Sequence, residues 1–150
     1  MTTTPAPAAT PAGHYVAHVD GPEGRVPIDV ERIRQTIREA LRPTVEGTRV
    51  DPHQTSDTMT DLAGHVRLLL PAAEAKYRVL RPDGSPYDGM LAADFDALQR
   101  RLTYERPSPY TYPLNASVWM ADLARSCRTL LDLVLDAQQV ARGQRAGGSR

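Results

Sequence analysis

The chain has little of what most catalytic motifs are made from. Its single cysteine, Cys127, excludes an internal disulfide and a cysteine-based zinc cluster. Its single lysine, Lys76, leaves the basic side almost wholly to arginine, which, with abundant Ala, Pro, Asp and Gly, reads as the coding bias of a GC-rich genome. Lys and Arg together balance Asp and Glu to a net charge of zero, so there is no general electrostatic reason to expect nucleic acid. No apolar run reaches membrane-spanning length, and the amino terminus carries no basic, apolar, cleavable signal. The expected location is therefore cytoplasmic, with no membrane. A phosphate-cradling glycine loop, a paired-histidine zinc motif, a Gly-x-Ser-x-Gly elbow and a dinucleotide fingerprint are all missing from the sequence. No catalytic residue, cofactor or metal is expected.

What is there is helical spacing. With 150 residues and an apolar fraction of 41%, the chain has enough material for one soluble domain. The most regular stretch runs from Met59 to Leu80, where Met59, Leu62, Val66, Leu69, Ala73, Tyr77 and Leu80 share one helix face. Pro71 interrupts the hydrogen bonding but not the register. Burying several large side chains outweighs the roughly 3 kcal/mol cost of an interior proline, so a helix bent or restarted at Pro71 is expected. Gly64 and Pro71 fall on the opposite, solvent side.

Around this element the spacing predicts an all-α fold, a small antiparallel bundle of about four helices between two disordered tails. Residues 1–26 are rich in Thr, Pro and Ala and are expected to be disordered, with Gly21 to Pro27 a turn-prone stretch. The bundle domain is assigned to residues 27–141. Asp29 is an N-cap, with Ile28 and Ile33 paired as a hydrophobic staple, and Val30, Ile33, Ile37 and Leu41 form the inner face of a first helix. Thr58 with Asp61 has the form of a capping box opening the central helix. The segment Arg81 to Pro86 is a turn, Asp88 is the expected cap of a third helix, and Leu91, Phe95, Leu98 and Leu102 are its apolar row. Asn115 caps a fourth helix reaching Ala141, with Leu114 and Trp119 in staple positions. Met120, Leu123, Cys127, Leu130, Val134 and Ala137 form its stripe, which makes Cys127 a small core residue. Residues 142–150 form a basic, glycine-containing tail expected to be disordered.

Candidate functional residues are few. His14 and His18 lie among Gly and Pro and read as solvated, because a metal needs a complete ligand set. His65 flanks the central stripe, where a histidine is ordinarily bonded to a neighbour, and neither a nucleophile nor a carboxylate partner stands beside it in the sequence. Between Tyr104 and Trp119 lie half of the chain's aromatic residues, in the proline-rich connection that includes Tyr110 and Tyr112. Prolines hold such a loop extended at low entropic cost and tyrosines give it large contact area. The loop is either a recognition surface or a plug over the end of the bundle, and plugging is the simpler use. Leu133 and Val140 stand off the main stripe of the fourth helix and Leu68 off that of the second, which predicts a homodimer or a foreign protein partner on the exposed side of the fourth helix.

Two functions from different classes fit. The first is a non-enzymatic helical interaction or regulatory module, since the inward positions are almost wholly aliphatic while catalysis needs acid, base or nucleophile held together. The second is a small-molecule-binding pathway accessory or divergent enzyme, with a pocket near residues 104–119 and His65 or Arg67 as polar anchor. A DNA-binding helix-turn-helix is argued against by the neutral charge and the absence of a short helix bearing outward basic and amide groups.

Three stretches carry a family resemblance. Pro27 to Val30, then Leu62 to Pro71 with Ala72, Ala73 and Glu74, then Met120 to Leu131 resemble a family of small uncharacterised actinobacterial proteins catalogued as natural product biosynthesis proteins. The resemblance spans roughly residues 27–137, and Gly64-His65-Val66 with Leu68-Leu69-Leu70-Pro71 is its most particular part. It implies an association with secondary-metabolite pathways and carries over no catalytic residue. Where the family often has Glu after the proline, this chain has Ala72, with the acidic residue at Glu74.

Overall fold

The computed structural model describes residues 16–21, 24–43, 50–104 and 106–146, with side-chain surroundings in the last helix given as far as residue 136. Among these residues the chain forms a β-hairpin followed by four helices. The elements are β1 (Val16–Gly21), β2 (Gly24–Asp29), α1 (Val30–Ala40), α2 (Pro52–Leu80), α3 (Ala92–Thr103) and α4 (Pro113–Ala146). The helical core is the all-α bundle expected from the spacing.

The hairpin corrects the reading of residues 1–26 as a disordered tail, while residues 1–15 lie outside the described residues. β1 and β2 pair antiparallel, from Val16 opposite Asp29 to Gly21 opposite Gly24. Ala17, Val19 and Ile28 point into the core, while Val16, His18, Arg25 and Pro27 face outward. That is a period of two, hidden in the sequence by its shortness and by an alanine at one inward place. Gly24, at φ 118°, supplies the backbone conformation the turn needs. A two-stranded hairpin is marginal alone. This one lies on α2 and α1.

Asp29 ends β2 and caps α1, its carboxylate accepting from the Arg32 N–H at 3.0 Å. Ile28 and Ile33 are both buried, as the staple requires. Val30, Ile33, Thr36, Ile37 and Ala40 make the inner face, and Arg38 pairs with Glu31 at 3.0 Å on the outer one.

α2 begins earlier than expected. Its N-cap is Asp51, which accepts from the His53 N–H at 3.0 Å, and Pro52 occupies the first turn, where a missing N–H costs nothing. Thr58 is therefore not a cap. It lies buried within the helix and donates its hydroxyl to the Gln54 carbonyl at 3.1 Å. The helix runs through Pro71 to Leu80, with Gly64 and Pro71 exposed and Met59, Leu62, Val66, Leu69, Ala73 and Tyr77 buried. At 1.5 Å per residue its length is about 44 Å. It packs against β1, α1, α3 and most extensively α4.

The third helix opens at Leu91, not Asp88. The carboxylate of Asp94 accepts from the Leu91 N–H at 2.7 Å, closing the first turn from the inside. Asp88, at φ 49°, and Gly89, at φ 79°, instead form the tight turn across which Tyr87 and Met90 exchange backbone bonds of 2.9 and 2.8 Å. Phe95, Leu98 and Leu102 are buried, and Phe95 meets Tyr77 with ring centroids 5.3 Å apart.

α4 starts at Pro113 and extends past Ala141 to Ala146, so its backbone covers the first part of the expected basic tail. Asn115 lies exposed inside the helix and not at its cap. The Ser108 hydroxyl instead accepts from the N–H groups of Tyr110 and Thr111 at 3.2 and 3.4 Å in the turn that leads into the helix. Leu123, Ala124, Cys127, Leu130, Leu131, Leu133 and Val134 are all buried. The apolar arc is wider than one stripe because α1 and α2 both pack on this helix. Three polar residues, Thr36, Thr55 and Thr58, are buried with the core, and each donates its hydroxyl to the carbonyl four residues earlier. No buried side-chain polar atom among the described residues lacks a partner.

Candidate binding surface and arginine-lined pocket

The aromatic connection is displayed outward and does not plug the bundle. Tyr110 is 60% exposed, Tyr112 57% and Leu114 76%, and Tyr104 and Val118 are exposed beside them. The display is held in place. Pro109 is buried beneath it, the Tyr110 hydroxyl lies 3.1 Å from His53 Nδ1 on α2, and Arg106 donates to the Thr60 hydroxyl at 2.6 Å. Leu114 has no staple partner at such exposure.

His65 and Arg67, proposed from the sequence as alternative anchors of one pocket, belong to different places. His65 is half-buried on α2, its Nε2 lying 3.1 Å from the Thr36 hydroxyl on α1. That hydroxyl already donates to the Arg32 carbonyl at 3.0 Å, so it accepts from His65 and Nε2 carries the ring proton. The histidine joins two helices. Burial pushes its pKa below the ordinary 6.5, opposed by Asp61 and then Asp29 and assisted by Arg32. The folded chain thus takes up this proton less readily than the unfolded one. The contribution of His65 to stability is complete above 6.5 and is lost as pH falls from there towards the lower folded value. Between those limits the wild-type chain should lose more melting temperature than His65→Gln. Equal losses in the two proteins would show that this ring does not titrate differently on folding.

Arg67 lies on the outer side of α2 and donates Nη2–H to the Leu102 carbonyl at 3.2 Å, meeting one of the carbonyls left unpaired at the end of α3. It lines a cavity of about 260 Å³ with Arg101, Arg106, Tyr104 and Trp119, over Ala63 and Leu102. Arg67 and Trp119, two candidates from the sequence, are thereby brought together, while Tyr110 and Tyr112 stand outside this cavity. Arg101 and Arg106 were missed, because a helix-end arginine and a loop arginine carry no periodic signal.

Leu133 is no interface residue. It has 0% exposure and belongs to the main core cluster, so it has no surface to offer a partner. The side-chain surroundings of Val140 lie outside the described residues. Leu68 is exposed, as expected. Burial pushes the Cys127 thiol up to about 12, which leaves it protonated and inert at neutral pH. A larger apolar groove of about 670 Å³ runs between α1 and α4 over Ile37, Leu41 and Leu131, rimmed by Arg34, Arg38, Arg42 and Arg128. The Tyr87 hydroxyl donates to Asp136 at 2.8 Å, tying the turn before α3 to α4, and burial with this carboxylate raises its pKa.

No group of three or more His, Cys, Asp or Glu side chains placed to hold a metal occurs among the described residues. No helix among them is long and apolar enough to cross a membrane. No curated protein matches the chain. No solved structure matches it either. Residues 31–139 match DUF6415, a family of unknown function, over most of α1 to α4, and the chain belongs to that family.

Proposed function

We propose that this protein is a non-enzymatic interaction or accessory module, which binds a protein partner through the ridge formed by Tyr110, Tyr112, Leu114 and Val118. The observation that carries the reading is the exposure of these four side chains, Tyr110 and Tyr112 on a connection tied down by Pro109, His53 and Thr60, and Leu114 and Val118 on the first turns of α4 that follow. Tyrosine presents large, rigid area with a polar tip at low entropic cost, and a ridge already ordered loses little freedom when it docks. The core supports the same reading, since among the described residues its buried polar residues Thr36, Thr55 and Thr58 each donate within their own helices and the buried Tyr77 hydroxyl donates to the Ser85 carbonyl. A catalytic centre needs acid, base or nucleophile with shifted titration in a shared cleft.

The partner is either a second copy of the chain or another protein, and the reading places it on the first turns of α4 rather than on Leu133. The resemblance to proteins catalogued with natural product biosynthesis supports an accessory role in secondary-metabolite pathways. A cytoplasmic site of action is part of the reading and accords with a free buried thiol. Sedimentation equilibrium across micromolar concentrations tests the homodimer, expecting a mass that rises with concentration in the wild type and not in a Tyr110→Ser, Tyr112→Ser, Leu114→Ser triple variant. If the wild type holds constant monomer mass, affinity capture with the same pair of proteins tests for a foreign partner. A set of captured proteins identical for both baits would overturn the reading.

A further inference from the structure

Three arginines from separate parts of the chain converge on one small cavity. Arg67 comes from α2, Arg101 from the last turn of α3, and Arg106 from the connection that follows. Two of them are fixed by single hydrogen bonds, Arg67 to the Leu102 carbonyl at 3.2 Å and Arg106 to the Thr60 hydroxyl at 2.6 Å. Thr60 passes its own proton to the Ser56 carbonyl at 3.0 Å, so its oxygen is committed to accepting from Arg106. Arg101 lies 3.7 Å from Asp122 on α4. None of the described residues lining the cavity carries a carboxylate.

Like charges gathered in so small a volume repel, and the arrangement is relieved when an anion enters. Each guanidinium has five N–H donors, and the bonds that position Arg67 and Arg106 use one apiece. The remaining donors suit a carboxylate or phosphate, which arginine grips with two parallel bonds. The floor, Ala63 and Leu102, is apolar and buried, and the Trp119 indole gives the wall a flat aromatic surface. A cavity of about 260 Å³ has room for one ring and its acidic group, not for a long chain.

We infer that this cavity binds a small aromatic acid, with a carboxylate or phosphate held by Arg67 and Arg106, Arg101 adding charge, and the ring against Trp119. The inference stands on the cavity alone and does not depend on the ridge at Tyr110 and Tyr112.

Trp119 is the only tryptophan in the chain, so its single indole N–H resonance reports on the cavity directly. Phenyl phosphate and benzoate are titrated into the full-length protein and followed by this resonance and by calorimetry, with inorganic phosphate and benzyl alcohol as partial probes. The expected result is a saturable shift with one or both aryl acids, at least tenfold weaker binding of inorganic phosphate, and no shift with benzyl alcohol at the same concentration. The relative affinity of phenyl phosphate and benzoate identifies the acidic group. Arg67→Gln and Arg106→Gln should each weaken binding tenfold or more. Because both substitutions also remove an internal hydrogen bond, Arg101→Gln serves as a third variant: it gives up only the long, partly exposed ion pair with Asp122, of the kind that contributes little to stability, and is expected to weaken binding while leaving the circular dichroism spectrum unchanged and the melting temperature nearly so. No saturable shift from either aryl acid, or affinities unchanged in all three variants, would overturn the inference.

Discussion

Leu69→Ala should lower the free energy of unfolding by about 2–5 kcal/mol, measured by urea denaturation with an unchanged slope. Leu69 has 0% exposure and sits in the main cluster on the inner face of α2, two positions before Pro71. The proline withholds one hydrogen bond from this part of the helix, and its ring crowds the carbonyl four residues back. Tertiary packing has to hold the turn together, so a cavity here removes support where the backbone has least of its own. A loss of this size is a large fraction of the roughly 5–15 kcal/mol that keeps a domain folded. A change below about half a kcal/mol, the range of ordinary surface substitutions, would mean that the inner face of α2 is wrongly phased.

Leu133→Ser should cost as much or more, about 3–5 kcal/mol, because it combines a cavity with a hydroxyl placed in an apolar surround. The comparison that gives this result meaning is Val118→Ser, at an exposed position of the same helix. That change should leave stability within about half a kcal/mol. If Leu133→Ser proved as mild as Val118→Ser, the wide apolar arc of α4 would be wrong and Leu133 would again be open to a partner.

Helix faces were legible in the sequence wherever the large buried side chains fall mostly on one periodic row. The rows of α1 and α2, Phe95, Leu98 and Leu102 of α3, and Cys127 within α4 follow from spacing, whereas Leu91, read as the first member of the α3 row, is 44% exposed because it stands at the cap before the helix. Leu133 defeated the same argument because α4 is packed by two helices, and a single-stripe reading assigns the second arc to solvent. Helix starts were less legible. Asp51-Pro52 is a proper cap and first turn, yet Thr58 and Asp61 imitate one further along and stand nearer the apolar row. The hairpin was lost in a tail whose composition resembles disorder, and Gly24 to Pro27, part of the stretch read as turn-prone, belong to β2. In the pocket, Arg67 and Trp119 drew notice and Arg101 and Arg106 did not, since no sequence pattern records that a helix end, a loop and two other helices will share one cavity.

Asp29 is at once the last residue of a strand and the cap of a helix, and no residue separates the two elements. The join therefore has no hinge: moving the hairpin away from the bundle must either turn α1 with it or break the bond to the Arg32 N–H. The two elements should open as one unit, so the slowest-exchanging amides of β2 and of α1 ought to share one opening free energy and one response to denaturant. The amino-terminal strand then acts as a remote handle on α1, whose partner across the helix seam is His65. A label at Val16 or His18, on the outward face of β1, would report whether that seam is closed.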